Sequence, residues 1–218
     1  MKRKRLVLLG APGSGKGTQA EMITRHFGIP VTSTGAILRR EVELGTLLGI
    51  ETAEKTKHGE LVPDKIIIDL IEDWVRLHGA QGFVFDGFPR TIPQAEALQG
   101  ILHRHHTPLD LAIWLDVSAD TIKERISHRL QCQSCGFTTS EGAAVFSERA
   151  ICPYCDGPLI RRTDDDASVL EIRLSEFNNK TQPVADHYGK ISVLRKIDGN
   201  RDRETVFADI SRLIEQAA

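Results

Sequence analysis

Residues 10–18, with the sequence GAPGSGKGT, constrain the fold of this chain more than any other stretch. They join an apolar run at residues 6–9 to a segment whose apolar residues recur at helical spacing. Glycines in such a turn permit positive φ and leave backbone N–H groups open to a phosphate, which the N-terminus of the following helix also attracts. Lys16 adds a mobile positive charge. The G-x-x-x-x-G-K spacing after a strand therefore predicts a P-loop that binds nucleotide phosphates.

The residue after Lys16 departs from the usual P-loop pattern. That pattern has Ser or Thr there, whose hydroxyl binds magnesium, whereas this chain has Gly17 followed by Thr18. We therefore do not expect the residue next to Lys16 to bind magnesium directly.

The length and charge of the chain indicate its fold class and the kind of partner it binds. A chain of 218 residues, 40% of them hydrophobic, fits one α/β core with appended subdomains. Its formal net charge of −2 gives no general attraction to nucleic acid or anionic membranes. No apolar stretch approaches the roughly 20 residues of a membrane span, and the run after the basic residues 2–5 is too short for a signal peptide. We expect a monomeric cytoplasmic protein that binds small molecules rather than nucleic acid or membranes.

All four cysteines lie in one segment, as two C-x-x-C pairs separated by sixteen residues: Cys132, Cys135, Cys152 and Cys155. The bulky apolar residues between the pairs are Phe137, Val145 and Phe146. Two disulfides are the alternative, but the reducing cytosol disfavours them, and each C-x-x-C turn presents two thiolates suited to tetrahedral zinc. We predict a structural zinc site that organises a segment with little core of its own.

Five short runs predicted to be strands, three of them continuously apolar, alternate with segments of helical periodicity. The runs lie at residues 6–9, 29–33, 83–85, 111–115 and 192–197. Helices are predicted at residues 18–27, 46–57, 64–77 and 204–214, and others begin near Thr34, which can cap one, and near Ser118. The fold class is therefore α/β, with a five-stranded parallel sheet and helices on both faces.

Single residues refine the helix predictions. Pro63 fits the first position of the helix at residues 64–77. Arg125 and Arg129 fall one turn apart on one helix face, as a phosphate clamp would require. Pro183 is expected to interrupt the helix that follows Arg173 near the middle of that helix.

The sequence DGFPR at residues 86–90 follows a continuous apolar run, at the sheet edge where ligands of open α/β proteins bind. Asp86 could serve there as a general base, a helix cap or a metal-side carboxylate. A phosphate acceptor oxygen is already ionised at neutral pH and has no proton to lose, which favours orientation of magnesium through its waters. Arg90 supplies a planar fork for a phosphate.

Four motifs together resemble those of the adenylate kinase family. They are GAPGSGKGTQ at residues 10–19, STGAILR at 33–39, DGFPRTIPQA at 86–95 and RTDD at 162–165. The resemblance runs nearly end to end, and the cysteine pairs resemble those of members with a zinc-binding lid. It implies reversible phosphoryl transfer from ATP to AMP, giving two ADP, with Mg²⁺ on the ATP and a lid that closes over the reactants.

The resemblance also implies a division of the chain and a set of site residues. The division is a P-loop core (residues 1–32, 63–127 and 166–218), an AMP-binding flap (33–62) and a zinc-binding lid (128–165). The implied catalytic residues are Lys16, Asp86, Arg90, Arg129, Arg162 and Arg173. The implied ATP-binding residues are Gly13, Ser14, Gly15, Lys16, Gly17, Thr18, Arg125, Arg129, Thr138, Thr139 and Arg201. The implied AMP-binding residues are Thr34, Arg39, Glu60, Leu61, Val62, Gly87, Phe88, Pro89, Arg90, Gln94, Arg162 and Arg173.

This chain departs from the family pattern at two places. Ala36 stands where the family commonly has Asp. Phe137, Thr138 and Thr139 replace the aromatic residue and the His that usually follow the first cysteine pair. We therefore expect the lid to pack against adenine differently.

Two other functions are compatible with the sequence. One is a kinase for another nucleoside monophosphate, which the presence of Thr34 and Gln94 disfavours. The other belongs to a different class, a P-loop switch whose zinc ribbon binds nucleic acid. The cysteine segment lacks the basic and aromatic pattern of a nucleic-acid-binding face, which disfavours that second function.

Overall fold

The computed structural model describes residues 4–141 and 150–217. Its strands are β1 (Arg5–Leu9), β2 (Val31–Ser33), β3 (Phe83–Asp86), β4 (Leu111–Asp116), β5 (Arg129–Cys132), β6 (Thr138–Ser140), β7 (Leu159–Ile160) and β8 (Leu194–Asp198). Its α-helices are α1 (Lys16–Phe27), α2 (Thr34–Leu44), α3 (Leu47–His58), α4 (Asp64–His78), α5 (Ile92–Arg104), α6 (Ala119–Ser127), α7 (Ala167–Glu176), α8 (Gln182–Lys190) and α9 (Arg203–Gln216).

Five of the strands form one parallel sheet in the order β2-β3-β1-β4-β8. Side chains alternate between its two faces, so that Val7 and Phe85 pack with α4, α5 and α8. Leu8 and Val84 pack on the opposite face with α1 and α9. Because both faces are covered, the central strands are continuously apolar. The structure confirms the predicted α/β sheet with helices on both faces.

The register of this sheet gathers distant segments at one edge. Ser33 at the end of β2 is aligned with Asp86 at the end of β3, and Asp86 is aligned with Leu8 of β1. Parallel strands present their carboxyl ends on the same side, where the loops of open α/β sheets bind ligands. The P-loop, the start of α2 and residues 86–90 therefore meet at this edge.

Two helix starts differ from those predicted. α1 begins at Lys16 rather than at residue 18, because Gly15 adopts a left-handed conformation (φ 94°) directly before it. Ser33, rather than Thr34, caps α2: its hydroxyl accepts a hydrogen bond from the N–H of Ala36 at 3.4 Å. Thr34 instead donates its hydroxyl to the carbonyl of Gly87 at 3.0 Å. Thr34 is thereby tied to the loop after β3.

Two further predictions about helix positions were wrong. Pro63 precedes α4 instead of starting it, because its backbone is extended with ψ 135°. α6 ends at Ser127, so that Arg129 is the first residue of β5 and does not share a helix face with Arg125. Pairing of Arg129 with Ser140 across β5 and β6 draws the chain out of the helix.

α7 and α8 are joined by a π-helical turn at Phe177–Thr181. Pro183 lies in the first turn of α8, directly after this turn. Proline lacks the N–H that would donate the next hydrogen bond of a regular α-helix. In a π turn, each N–H donates to the carbonyl five residues earlier instead of four. The predicted interruption is therefore a local change of helix type between α7 and α8.

α2 and α3 form a tight helical hairpin. The hydroxyl of Thr46 accepts a hydrogen bond from the N–H of Gly49 at 3.0 Å, at the start of α3. A Cβ on Gly49 would lie 2.0 Å from the carbonyl oxygen of Glu41, which no side chain tolerates. Glycine at this position therefore lets the two helices approach closely.

The cysteine segment, residues 128–165, contains an antiparallel sheet in the order β6-β5-β7, which the sequence did not predict. Its buried cluster consists of Leu130, Cys132, Cys152 and Leu159. Val145 and Phe146 lie outside the described residues. Among the residues that the structure describes, no helix is both long and apolar enough to cross a membrane. The division of the chain into core, flap and lid stays a prediction.

Candidate nucleotide site

The P-loop connects β1 to α1 by a turn that only small residues can form. Gly10 and Gly13 both have positive φ, of 147° and 81°. A Cβ on Gly10 would lie 2.8 Å from the carbonyl oxygen of Leu115, and a Cβ on Gly13 would lie 2.9 Å from the side chain of Ile126. The glycines therefore allow the loop to lie against β4 and α6.

Lys16 turns back onto its own loop. Its Nζ donates to the carbonyl oxygens of Gly10 at 2.7 Å and Ala11 at 2.8 Å. Burial lowers the pKa of Lys16 to about 8, although the nearby carboxylate of Asp86 opposes this shift. An anion entering the loop would supply the compensating charge that the ammonium group lacks.

A cleft of about 1060 Å³ runs from the P-loop to the α2–α3 hairpin. All but one of the site residues implied by the sequence line it: Gly13, Ser14, Gly15, Lys16, Gly17, Thr18, Thr34, Arg39, Glu60, Leu61, Val62, Asp86, Gly87, Pro89, Arg90, Gln94, Arg125, Arg129, Thr138, Thr139, Arg162, Arg173 and Arg201. The exception is Phe88, whose side chain is fully buried in the core against Phe85. Phe88 therefore anchors the loop at residues 86–90 to the core and does not line the cleft.

Three arginines of the cleft share two carboxylates. The Nε of Arg129 donates to Asp165 at 2.7 Å, and the Nε of Arg162 donates to Asp164 at 2.8 Å. Arg173 contacts both carboxylates at 3.2 Å. Burial raises the pKa of Asp164, but the hydrogen bond and charge of Arg162 outweigh burial and hold that pKa well below its usual range. The cluster is thus an ordered array of charges.

Asp164 and Asp165 are site residues that the sequence analysis missed, although both stand in the RTDD motif that it quoted. Their signal was the pair of acidic residues beside two arginines. Without counter-ions, arginines brought this close would repel one another. Burial and the charge of Arg162 already lower the pKa of Arg39 to about 10.

Arg125 connects the P-loop to the loop that follows β8. Its guanidinium donates to the carbonyl of Gly199 at 2.8 Å and to that of Arg201 at 3.3 Å. It also approaches the carbonyl of Ser14 at 3.5 Å. These bonds direct the group at backbone carbonyls, so that it braces the loop after β8 against the P-loop.

Arg90 is half-buried and lies beside the start of α2 in the same cleft. Its Nε donates to the carbonyl of Gly87 at 2.7 Å, and its own carbonyl accepts from the hydroxyl of Thr181 at 2.9 Å. Burial lowers the pKa of Arg90, and Asp86 opposes that shift. A Cβ on Gly35 would lie 3.7 Å from one terminal nitrogen of Arg90 and 3.3 Å from that of Arg39. One terminal nitrogen of each guanidinium group thus lies within 4 Å of the same position, the place of a Cβ on Gly35.

The four cysteines form a cluster suited to a metal. Their sulfur atoms all lie within 4.8 Å of one another, with 3.4 Å between Cys132 and Cys155 and 3.6 Å between Cys135 and Cys152. A disulfide would bring two sulfurs to about 2.05 Å, whereas four thiolates around zinc at about 2.3 Å lie about 3.8 Å apart. Burial raises the pKa of Cys132, but the backbone N–H of Cys135 and the thiol of Cys155 outweigh it and lower that pKa to about 6. The cluster fits a tetrahedral metal.

Asp86 stands beside the P-loop. A Cβ on Gly17 would lie 3.5 Å from its Oδ2. A carboxylate next to a phosphate-binding loop is the hard oxygen ligand that magnesium prefers. The residues present therefore fit a magnesium ion held between Asp86 and a bound nucleotide.

Fold and cleft together define a P-loop nucleotide-binding protein. A sequence model of the family described as adenylate kinase matches residues 8–193. The adenylate kinase of Thermodesulfovibrio yellowstonii is 38% identical over 213 residues, which cover 97% of this chain and 99% of that protein. The adenylate kinase of Geobacillus sp. is 40% identical over 96% of this chain and 97% of that protein. The adenylate kinase of Methanocella arvoryzae is 41% identical over 97% of this chain and 99% of that protein. The chain belongs to the adenylate kinase family.

Proposed function

We propose that this chain transfers the terminal phosphoryl group of ATP to AMP, giving two ADP. The observation that carries the proposal is the convergence of six cationic side chains on one cleft that begins at a P-loop: Lys16, Arg39, Arg90, Arg129, Arg162 and Arg173. Two polyanions that meet end to end require such an array, because charge spreads over the phosphoryl oxygens during transfer.

The donor nucleotide binds at the P-loop. Its phosphates accept from the loop amides, and Lys16 exchanges the carbonyls of Gly10 and Ala11 for a phosphate oxygen. The loop that Arg125 braces, at residues 199–201, forms the wall beside the adenine of ATP. Thr138 and Thr139 line the cleft from the cysteine segment.

The acceptor nucleotide binds between β3 and the α2–α3 hairpin. Arg39 and Arg90 bind its phosphate, since one terminal nitrogen of each lies near the place of a Cβ on Gly35. Gln94 and Thr34 also line the cleft and contact the base in this proposal. This arrangement leaves the phosphate of AMP directed toward the P-loop.

Transfer itself depends on alignment and charge. The attacking atom is an ionised phosphate oxygen of AMP, so no general base is needed and Asp86 does not serve as one. Arg129, Arg162 and Arg173 surround the phosphoryl group in transit, and Asp164 and Asp165 hold their guanidinium groups in place. The cysteine segment excludes water, which would otherwise hydrolyse ATP.

Two metals complete the proposal. Mg²⁺ bound with ATP would neutralise oxygens of its phosphates, and Asp86 would hold it through bound water. Zinc in the cluster of Cys132, Cys135, Cys152 and Cys155 would organise the cysteine segment without taking part in the reaction. That the protein acts as a monomer in the cytoplasm stays a prediction.

The experiment that tests this function measures ADP formation with ATP and each of AMP, GMP, UMP and CMP. AMP should give the highest kcat/KM, and equal or better turnover of UMP or CMP would contradict the proposal. A salt-dependent shift of DNA or RNA by the same protein, without AMP-dependent turnover, would favour the nucleic-acid-binding alternative.

A further inference from the structure

The side-chain amide of Gln94 is held from both ends. Gln94 is only 2% exposed and lines the acceptor part of the cleft. Its Oε1 accepts from the backbone N–H of Arg90 at 2.7 Å, and its Nε2 donates to Oδ1 of Asp64 at 2.7 Å. A backbone N–H only donates and a carboxylate only accepts. The amide therefore has one orientation, since the reverse would place N–H against N–H and oxygen against carboxylate.

The carboxylate of Asp64 is itself fixed. The hydroxyl of Thr91 donates to Oδ2 of Asp64 at 2.9 Å, and the same hydroxyl accepts from the backbone N–H of Gln94 at 3.2 Å, where it caps α5. Asp64 is the first residue of α4, and α4 and α5 share one buried cluster through residues such as Ile67 and Leu98. The contact joins the starts of two packed helices rather than a loop.

A fixed amide distinguishes bases that a rotating amide cannot. After these two bonds, Gln94 retains one N–H and one oxygen lone pair. Adenine presents the acceptor N1 beside its N6 amino donor, whereas hypoxanthine presents the opposite pair, an N1–H donor beside the O6 acceptor. A carboxamide that can turn over matches either base, and one held in a single orientation matches only one of them.

We propose that Asp64 is a positioning residue that sets the preference for the acceptor base by fixing the amide of Gln94. The proposal rests on the proposed function, because it assumes that the acceptor base meets Gln94. Asp64 does not touch the reacting atoms, and its effect reaches the base only through Gln94. The sequence analysis assigned Asp64 no role in the site.

The test compares AMP with inosine 5′-monophosphate as acceptors for wild type and Asp64→Asn. Asparagine keeps the shape of the side chain but offers either a donor or an acceptor, so only the backbone N–H of Arg90 still opposes the reversed orientation of the Gln94 amide. The ratio of kcat/KM for AMP to that for inosine 5′-monophosphate should fall about tenfold, the effect of one hydrogen bond to a charged group. KM for ATP should not change. Because both acceptors are measured on one preparation, partial loss of folded protein cancels from the ratio.

Two further variants separate positioning from a general structural effect. Asp69→Asn makes the same chemical change on the exposed side of α4 and should leave the ratio at its wild-type value. In a Gln94→Leu background the Asp64→Asn change should no longer alter the ratio, because the amide through which it acts is gone.

Each outcome bears on one claim. If wild type turns over AMP but Asp64→Asn keeps the wild-type ratio, or changes it equally with Leu at position 94, Asp64 does not act through Gln94 and the inference fails. If wild type does not phosphorylate AMP at all, the proposed function fails instead.

Discussion

The guanidinium group of Arg25 lies over the ring of Tyr154, 4.1 Å from the ring centroid, and donates a hydrogen bond of 2.7 Å to its hydroxyl. Arg25 belongs to the last turn of α1, and Tyr154 stands between the second pair of cysteines. Phe137 packs edge-on against the same ring at 4.7 Å. The contact therefore connects the cysteine segment to α1, the helix that begins in the P-loop. Both residues line the cleft.

Replacement of Arg25 by Gln should loosen this contact. A cation over an aromatic ring at an exposed site contributes about 0.5–1 kcal/mol, so we expect KM for ATP to rise about two- to fivefold. KM for AMP should stay near wild type, because Arg25 belongs to the helix that follows the P-loop and not to the α2–α3 hairpin. Steady-state kinetics on Arg25→Gln, with the exposed Arg76→Gln as control, measure this. Equal rises in both KM values would contradict a role confined to ATP.

The second prediction concerns Arg90. Arg90 is half-buried in the cleft, and its planar fork binds a phosphate in a way that an ammonium point charge cannot reproduce. Arg90→Lys should lower kcat about 100-fold while thermal unfolding stays cooperative. Arg104→Lys, which changes an exposed arginine paired with Glu72, is the control. Near-wild-type turnover of the Arg90 variant would remove Arg90 from the phosphate clamp.

The third prediction follows from the pKa of Lys16, which burial lowers to about 8 in the free protein. A bound phosphate raises this pKa, so ATP binding takes up a proton between the free and bound values, and affinity falls as the pH rises above about 8. Calorimetry near pH 8 in two buffers of different ionisation enthalpy measures the uptake. Lys16→Met should abolish the proton uptake that Lys16 contributes to ATP binding. Affinity for ATP that stays constant from about pH 7 to about pH 9 would contradict the prediction.

The fourth prediction separates the metal's part in folding from the chemistry. Cys152 is fully buried in the small cluster of the cysteine segment, whereas the parallel sheet has its own core. Cys152→Ser should lose bound zinc and local order, and ADP formation should fall at least about 100-fold as Arg129 and Arg162 are misplaced. The core should keep much of its affinity for ATP.

Metal analysis, calorimetry and an ADP assay on wild type and Cys152→Ser test this directly, with circular dichroism to report on the core. A variant without metal that retains full turnover would show that the metal does not organise the site. A variant without any folded core would show that the cysteine segment is not a separable unit.

The sequence by itself determined the elements whose signals are local. The P-loop could be predicted because glycine spacing and Lys16 lie within one short stretch between a strand and a helix. The central strands β1, β3 and β4 could be predicted from short apolar runs, because a strand covered on both faces is apolar throughout. The two C-x-x-C pairs likewise predicted a metal cluster, which the sulfur positions fit.

Tertiary structure alone decided the contacts between residues far apart in the chain. Asp64 and Gln94 are thirty residues apart, and only the packing of α4 on α5 brings their side chains together. Arg129 left its expected helix because pairing with Ser140 overrode local helical spacing. The antiparallel sheet of the cysteine segment could not be predicted either, because its strands are too short for a periodic signal. Local chemistry thus determined which residue types the site would use, and long-range packing determined how they are held.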